Sequence, residues 1–220
     1  MIIDAIIPAA GVGSRFNDKI KKQYYEINGK PILYYTLKNL SMSFKFNSFI
    51  IGCNLDDNEF ILSILNMVGL KNYKLVKGGS ERFYTVYNCA ISSSAEYVLI
   101  HDAVRPFINS DIVDRLLKRL KDFDAVICGL KVRDTLKIVE NNKIVKTVDR
   151  ERYFLAHTPQ VFKREKLIKG FENIFEKNIF VTDEAQVMEE IGESVGIVES
   201  DIRNLKITYS DDISFIDKFL

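Results

Sequence analysis

A chain of 220 residues with 47% hydrophobic and 28% charged side chains is long enough to bury a substantial core and has the composition of a soluble globular protein. A formal net charge of +1 gives no reason to expect nucleic acid or an anionic membrane as the main partner. The three cysteines (Cys53, Cys89, Cys128) are scattered, lie in apolar stretches and form no C-x-x-C pair, which argues against a disulfide framework or a zinc site and for buried free thiols in a reducing cytoplasm.

Residues 2–7 (IIDAII) are a short β-branched run that stops at a Pro/Gly loop, the pattern of a buried strand. The same start has no basic flank, and its apolar run is too short for a signal sequence or a membrane span. Residues 31–42 (PILYYTLKNLSM) have helical spacing, with Pro31 at an early helical position. The alternation then repeats: a strand at 48–53, a helix at 58–68, a strand running into glycines at 73–79, and a helix from about 81 to 92. YVLI (97–100) reads as a buried strand, Ser110 as the cap of the helix DIVDRLLKRL, and 124–130 as another strand. Residues 131–153 break this rhythm: they are β-rich and highly charged, turn at Glu140-Asn141-Asn142, and predict a hairpin with little apolar surface of its own. Such an arm projects into solvent or lies against another subunit. Helices follow near 163–176, 182–192 and 210–219. The expectation is one α/β domain over 1–220, a mostly parallel sheet covered by helices on both faces, with a β-arm at about 131–153.

The unusual segments all follow predicted strands: PAAGVGSR the first, GGSERFYT the third, HDAVRP the strand YVLI. Ligands of open parallel sheets bind beyond the carboxyl ends of the strands, so this clustering points to a site. Small residues let backbone N–H groups approach phosphate oxygens, and the basic side chains that follow neutralise charge. The loop is neither a P-loop, since G-x-x-x-x-G-K-[ST] is absent, nor a dinucleotide fingerprint, since Phe16 holds the third glycine position. On spacing alone a phosphate loop and a plain tight turn stay equally open. Asp102, just after an apolar strand, suits a hard divalent cation bridging phosphates, but taken alone it reads first as a helix cap or a partner of Arg105. His101 and His157, the only histidines, have no acid partner at motif spacing and read as structural; Ser80 and Thr158 lack a Ser-His-Asp context.

Seven ordered blocks span nearly the whole chain: PAAGVGSRF…KKQ, GGSERFYTV, VLIHDAVRPF, VRDTLK, VDR…HTPQVF, TDEA and NLKIT. Together they resemble the cytidylyltransferases of sugar-alcohol phosphates, most of all the group acting on 2-C-methyl-D-erythritol 4-phosphate in the non-mevalonate isoprenoid pathway. The resemblance implies a Rossmann-like nucleotidyltransferase sheet, CTP and a polyol phosphate as substrates, Mg²⁺ or another divalent cation, and a homodimer in the cytoplasm. It implies that Ala9, Ala10, Gly11 and Gly13 wrap the triphosphate and that Arg15 and Lys22 stabilise the transition state. Gly79, Arg82 and Thr85 match the positions around cytosine and ribose; Asp102 matches the metal-binding acid, with Ala103 and Arg105 in its loop. Thr135, Arg150 and Lys206 match those that hold the polyol phosphate, and Thr158 and Thr182 begin motifs lining the same cleft. Two positions depart from the family pattern: Lys21 stands where proline is common, and Thr85 where serine is, with the hydroxyl kept. Ribitol-5-phosphate cytidylyltransferase and a non-catalytic nucleotide-binding module stand as the alternatives.

Overall fold

The computed structural model describes residues 1–11, 16 and 20–216. Gly13, Arg15 and the end of the helix expected at 210–219 lie outside the described residues. The seven-stranded sheet contains β1 (Ile3–Pro8), β4 (Ser48–Cys53), β5 (Tyr73–Lys77), β6 (Tyr97–Ile100), β7 (Ala125–Lys131), β10 (Phe154–Lys163) and β11 (Val195–Glu199), in the order β11-β7-β10-β6-β1-β4-β5. Within it β10 runs antiparallel to both β6 and β7, and the other pairs are parallel.

Each central strand is apolar on both sides because each side meets its own layer of helices. Ile3, Ala5 and Ile7 of β1, Ile51 of β4 and Leu99 of β6 face one core; Ile6, Ile50, Val98 and Ile100 face the other. The first core is closed by α1 (Ile32–Ser43), α2 (Asn58–Val68) and α4 (Ser110–Arg119). The second is closed by α3 (Arg82–Ser92), α5 (Arg164–Glu176) and α6 (Glu184–Glu189). Cys53, Cys89 and Cys128 are buried free thiols.

Local chemistry explains most boundaries. Before α1, β2 (Glu26–Ile27) and β3 (Lys30–Pro31) pair through Asn28 and Gly29, both at positive φ (51° and 72°), as a tight primed turn requires. Pro31 therefore ends this ribbon and precedes α1 instead of lying inside it, with φ −60° and ψ 148°. Gly69 at φ 80° ends α2, its N–H donating to Leu65 O. The cap of α4 is Asn109, whose side chain accepts from Ile112 N; Ser110 is the first helical residue.

Besides the short β2 and β3, two strands of the main sheet are absent from the sequence reading. β10 contains Pro159, and its pairing with β7 shifts register between His157 and Gln160, so a motif that reads as a turn is a bulge inside a ten-residue strand. β11 is a half-exposed edge strand following residues that read as helix. The hairpin is as expected: β8 (Lys137–Glu140) and β9 (Lys143–Thr147) pair with each other across Asn141 and Asn142, both at positive φ. Every residue of both strands is exposed. Among the described residues the last helix is α7 (Asp212–Ile216).

Candidate active site

Because β1, β4, β5 and β6 are parallel, their carboxyl ends share one edge, and chain direction across the sheet reverses at β1. This is the topological switch point where an open sheet leaves a crevice. A cleft of about 550 Å³ opens there. Ala9, Ala10 and Gly11 line it beyond β1, Asn54 beyond β4, Gly79 and Arg82 beyond β5, and Asp102 and Ala103 beyond β6, while Lys22 and Lys206 come in from two further segments.

The β5 wall is built by close approach. A side chain on Gly78 would meet Ala10 Cβ at 2.3 Å, and one on Gly79 would meet Tyr84 Cβ at 2.3 Å. Gly79 N donates to Thr85 Oγ1 at 3.0 Å, and this hydroxyl donates in turn to Glu81 O at 3.3 Å. The hydroxyl at position 85 thus fixes the start of α3.

Asp102 is the electrostatic centre. Its carboxylate is buried, with Arg82 Nε 3.1 Å from Oδ1, Lys206 Nζ 3.0 Å from Oδ2 and Arg105 Nε 3.4 Å from Oδ2. Burial alone would raise its pKa, but Arg82, Lys206 and Arg105 outweigh that and hold it well below the usual carboxylate range. Asp102 N donates to Thr158 Oγ1 at 3.0 Å, so the β10 bulge supports the acid from beneath. Thr158 is buried there behind the cleft, and Arg105 is buried too, donating to Asn204 O at 2.7 Å.

Arg82 leads the charge chain outward. Its Nη1 reaches Glu184 Oε1 and Oε2 at 2.6 and 2.8 Å, and Glu184 is fully buried. Burial works against the Arg82 charge, but Glu184 and Asp102 outweigh it and raise its pKa. Arg82→Met therefore strands a buried carboxylate and should destabilise the fold by roughly 3 kcal/mol, the low end for breaking a buried pair, because a third of the Arg82 side chain is in water. Adding Glu184→Gln should recover part of that loss, as a double-mutant cycle of urea melts would show.

Both histidines are held neutral. Burial lowers the pKa of His101 to about 4, and its Nδ1 and Nε2 lie 3.2 Å from Thr158 Oγ1 and 3.0 Å from Arg105 O. Burial likewise lowers that of His157 to about 4, with Nδ1 3.2 Å from Ser200 Oγ. They are structural groups at neutral pH.

Among the described residues no group of three or more His, Cys, Asp or Glu side chains is placed to hold a metal. The cleft offers Asp102, with Glu81 also among its lining residues. Magnesium is commonly bound by one or two carboxylates plus substrate phosphates; Asp102 is the buried acid of this cleft, and a divalent ion there would share its oxygens with Arg82, Arg105 and Lys206.

The remaining sequence-predicted residues fall elsewhere. Thr182 is exposed at the start of α6, beside a smaller hollow of about 250 Å³ that shares Arg82 with the cleft. Thr135 and Arg150 are exposed on the arm segment, where Arg150 Nη1 bonds Arg133 O, and neither lines the cleft. Sequence reasoning missed Gln23, Asn54 and Glu184; Gln23 carried a trace as the neighbour of Lys22 in the basic motif and Glu184 as a member of TDEA, whereas Asn54 carried none.

The described lining offers bare backbone, cations and a caged carboxylate, with no histidine to activate a nucleophile. Such a surface suits the binding of phosphate groups and the stabilisation of their charge. The family model for 2-C-methyl-D-erythritol 4-phosphate cytidylyltransferase matches residues 3–220. Proteins of that name from Clostridium botulinum and Caldanaerobacter subterraneus are 38% and 34% identical, over 98% and 100% of this chain and 96% and 99% of theirs. Among solved structures, the 4-diphosphocytidyl-2C-methyl-D-erythritol synthase of Anaerococcus prevotii is similar with a TM-score of 0.89 at 29% identity, over 99% of this chain and 95% of that one. The 2-C-methyl-D-erythritol 4-phosphate cytidylyltransferase of Francisella tularensis gives 0.81 at 31%, over the whole of both chains. The chain belongs to the 2-C-methyl-D-erythritol 4-phosphate cytidylyltransferase family and is a nucleotidyl-transferring enzyme. Among the described residues no helix is long and apolar enough to cross a membrane.

Proposed function

We infer that the chain, acting as one nucleotidyltransferase domain in the cytoplasm, joins CTP to 2-C-methyl-D-erythritol 4-phosphate. The products are 4-diphosphocytidyl-2-C-methyl-D-erythritol and pyrophosphate, a step of the non-mevalonate isoprenoid pathway. The observation that carries this reading is the family match over residues 3–220, together with the convergence of Ala9–Gly11, Lys22, Arg82, Asp102 and Lys206 on one cleft. A phosphate oxygen of the acceptor attacks the α-phosphorus of CTP in line; a P–O bond forms, the bond to the bridging oxygen breaks, and the pair leaves with pyrophosphate. Nothing covalent is asked of the protein, so catalysis is positioning and charge stabilisation.

Ala9, Ala10, Gly11 and Gly13 cradle the triphosphate; Gly79, Arg82 and Thr85 hold the base and ribose. Arg15 and Lys22 meet the charge that grows on the phosphates, and Lys206 directs the acceptor phosphate. Asp102 and the nucleotide phosphates would hold Mg²⁺, which when bound neutralises phosphate charge and orients the leaving group. The test is pyrophosphate release under CTP and Mg²⁺, with methylerythritol phosphate and ribitol 5-phosphate as rival acceptors. Preference for the first is expected; release with ribitol phosphate alone, or with neither, overturns the reading.

The arm points to a shared site. Ile138, Val139, Ile144 and Val145 stand 43–60% exposed on a two-stranded ribbon, which is marginal alone in water. Thr135 and Arg150 flank this ribbon and do not line their own chain's cleft. A two-fold dimer in which each arm clasps the partner buries the ribbon and delivers these residues to the neighbouring cleft. Mixing an inactive Lys22→Ala chain with an inactive Thr135→Ala/Arg150→Ala chain should then restore part of the turnover, because some mixed dimers regain one intact site. Mixtures that stay dead, or a fully active monomer in sedimentation, exclude the shared site.

A further inference from the structure

Three successive carbonyls of the cleft loop are held by side-chain amides from two other segments. Gln23, which is 3% exposed, donates from Nε2 to Ala9 O at 2.8 Å and to Gly11 O at 2.9 Å. Asn54 donates from Nδ2 to Ala10 O at 3.2 Å. The two segments are themselves tied together. Lys21 Nζ lies 2.7 and 2.6 Å from the two carboxylate oxygens of Asp57, and Tyr24 Oη donates to Asp57 Oδ2 at 3.0 Å. Burial, and then the Asp57 charge, raise the Tyr24 pKa, which keeps that phenol a donor. One short turn, Lys22–Tyr24, and another, Leu55–Asp57, thus form the two jaws of a clamp on residues 9–11.

We propose that Gln23 and Asn54 are positioning residues for the triphosphate of the nucleotide, and that the Lys21–Asp57–Tyr24 tie keeps them aligned. This rests on the reading of the cleft as a CTP site. A carbonyl oxygen carries partial negative charge and repels a phosphate oxygen; each carbonyl engaged by an amide has that charge partly neutralised, and its peptide plane is fixed. Lys22 sits between Lys21, tied to Asp57, and Gln23, tied to the loop, so the same clamp places the catalytic ammonium. Lys21 is not a second catalytic cation in this geometry, because Asp57 holds its charge. Its backbone φ of −59° is also the value a proline ring imposes, so the ion pair does by attraction what a proline would do by covalent restriction.

The experiment compares affinities for inorganic tripolyphosphate and for cytidine, by calorimetry, in the wild type, Gln23→Glu and Asn54→Ala. Gln23→Glu keeps the shape but replaces two donated hydrogen bonds with repulsion. Tripolyphosphate affinity should fall about tenfold or more, consistent with about 1 kcal/mol for each lost bond, while cytidine affinity changes less than about twofold. Asn54→Ala, at a half-buried position, should show the same split more weakly and decides the matter if the Gln23 variant does not fold. In parallel, Lys21→Ala should lower kcat and Lys21→Pro should restore it. Equal losses for both ligands, no loss for either, or a Lys21→Pro no better than Lys21→Ala would overturn the clamp. A wild type that turns over CTP beside unaffected variants defeats the clamp alone; a wild type that binds neither CTP nor tripolyphosphate defeats the assigned function and the clamp with it.

Discussion

Asp102→Asn is expected to lose nearly all turnover and also to lower stability by roughly 3 kcal/mol. The two effects have one cause. The carboxylate is the shared partner of Arg82, Arg105 and Lys206, so a neutral amide leaves three cations facing one another around it. Arg105 is 5% exposed and has no water to turn to, whereas Arg82 and Lys206 keep 33% and 37% of their side chains exposed, which holds the cost to the low end for a buried pair. On sequence grounds alone the substitution is expected to preserve the fold; the cage makes it a stability variant as well. Calorimetry and pyrophosphate release on the same preparation check both halves, and a variant with unchanged melting and full turnover in low Mg²⁺ would reduce Asp102 to a dispensable ion-pair partner. The pH dependence has a definite sign. Since the folded pKa is depressed, the wild-type contribution is complete above the ordinary aspartate pKa of about 4, and it is lost only as pH falls below that toward the folded value. The Asn variant should lack this acid-side loss.

Lys22→Ala should act on rate. Lys22 lines the cleft beside the loop Ala9–Gly11, at the start of a short 3₁₀ turn. If its ammonium meets charge that develops only as the phosphates part, its loss lowers kcat by about 10²–10³-fold while CTP affinity changes far less. Arg15→Ala should behave alike on the strength of its motif. Steady-state kinetics with both substrates varied, alongside direct CTP binding, separate the two terms. A raised KM for CTP with unchanged kcat would make Lys22 a binding residue only.

Much of the fold was legible because periodicity is local. The apolar runs at 48–53 and 97–100 and the helical pattern at 58–68 coincide with β4, β6 and α2. The failures are equally physical. The segment 154–163 hides a strand because its Thr-Pro-Gln core reads as a turn, and the strand tolerates it only through a bulge against β7. Ser110 looked like a cap because it is a good one; Asn109, one residue earlier, makes the bond to Ile112 N.

The sequence by itself determined the parallel α/β architecture, the stripped loop after β1, the acid after β6 and the family. All of these are written in neighbouring residues or in ordered motifs. Tertiary structure alone decided what each side chain does. Glu184 meets Arg82 from 102 positions away, Gln23 reaches back to Ala9, and Lys206 lands on Asp102, none at a spacing any motif would mark. It also separated Thr158, buried beneath Asp102, from Thr135 and Arg150 on the exposed arm, although motif position offered all three as cleft residues. The reason is that hydrophobic period and turn chemistry act between residues a few positions apart. Burial of a charge and its neutralisation depend on which distant segments the folded sheet brings within 3–4 Å, the range over which an ion pair or hydrogen bond forms.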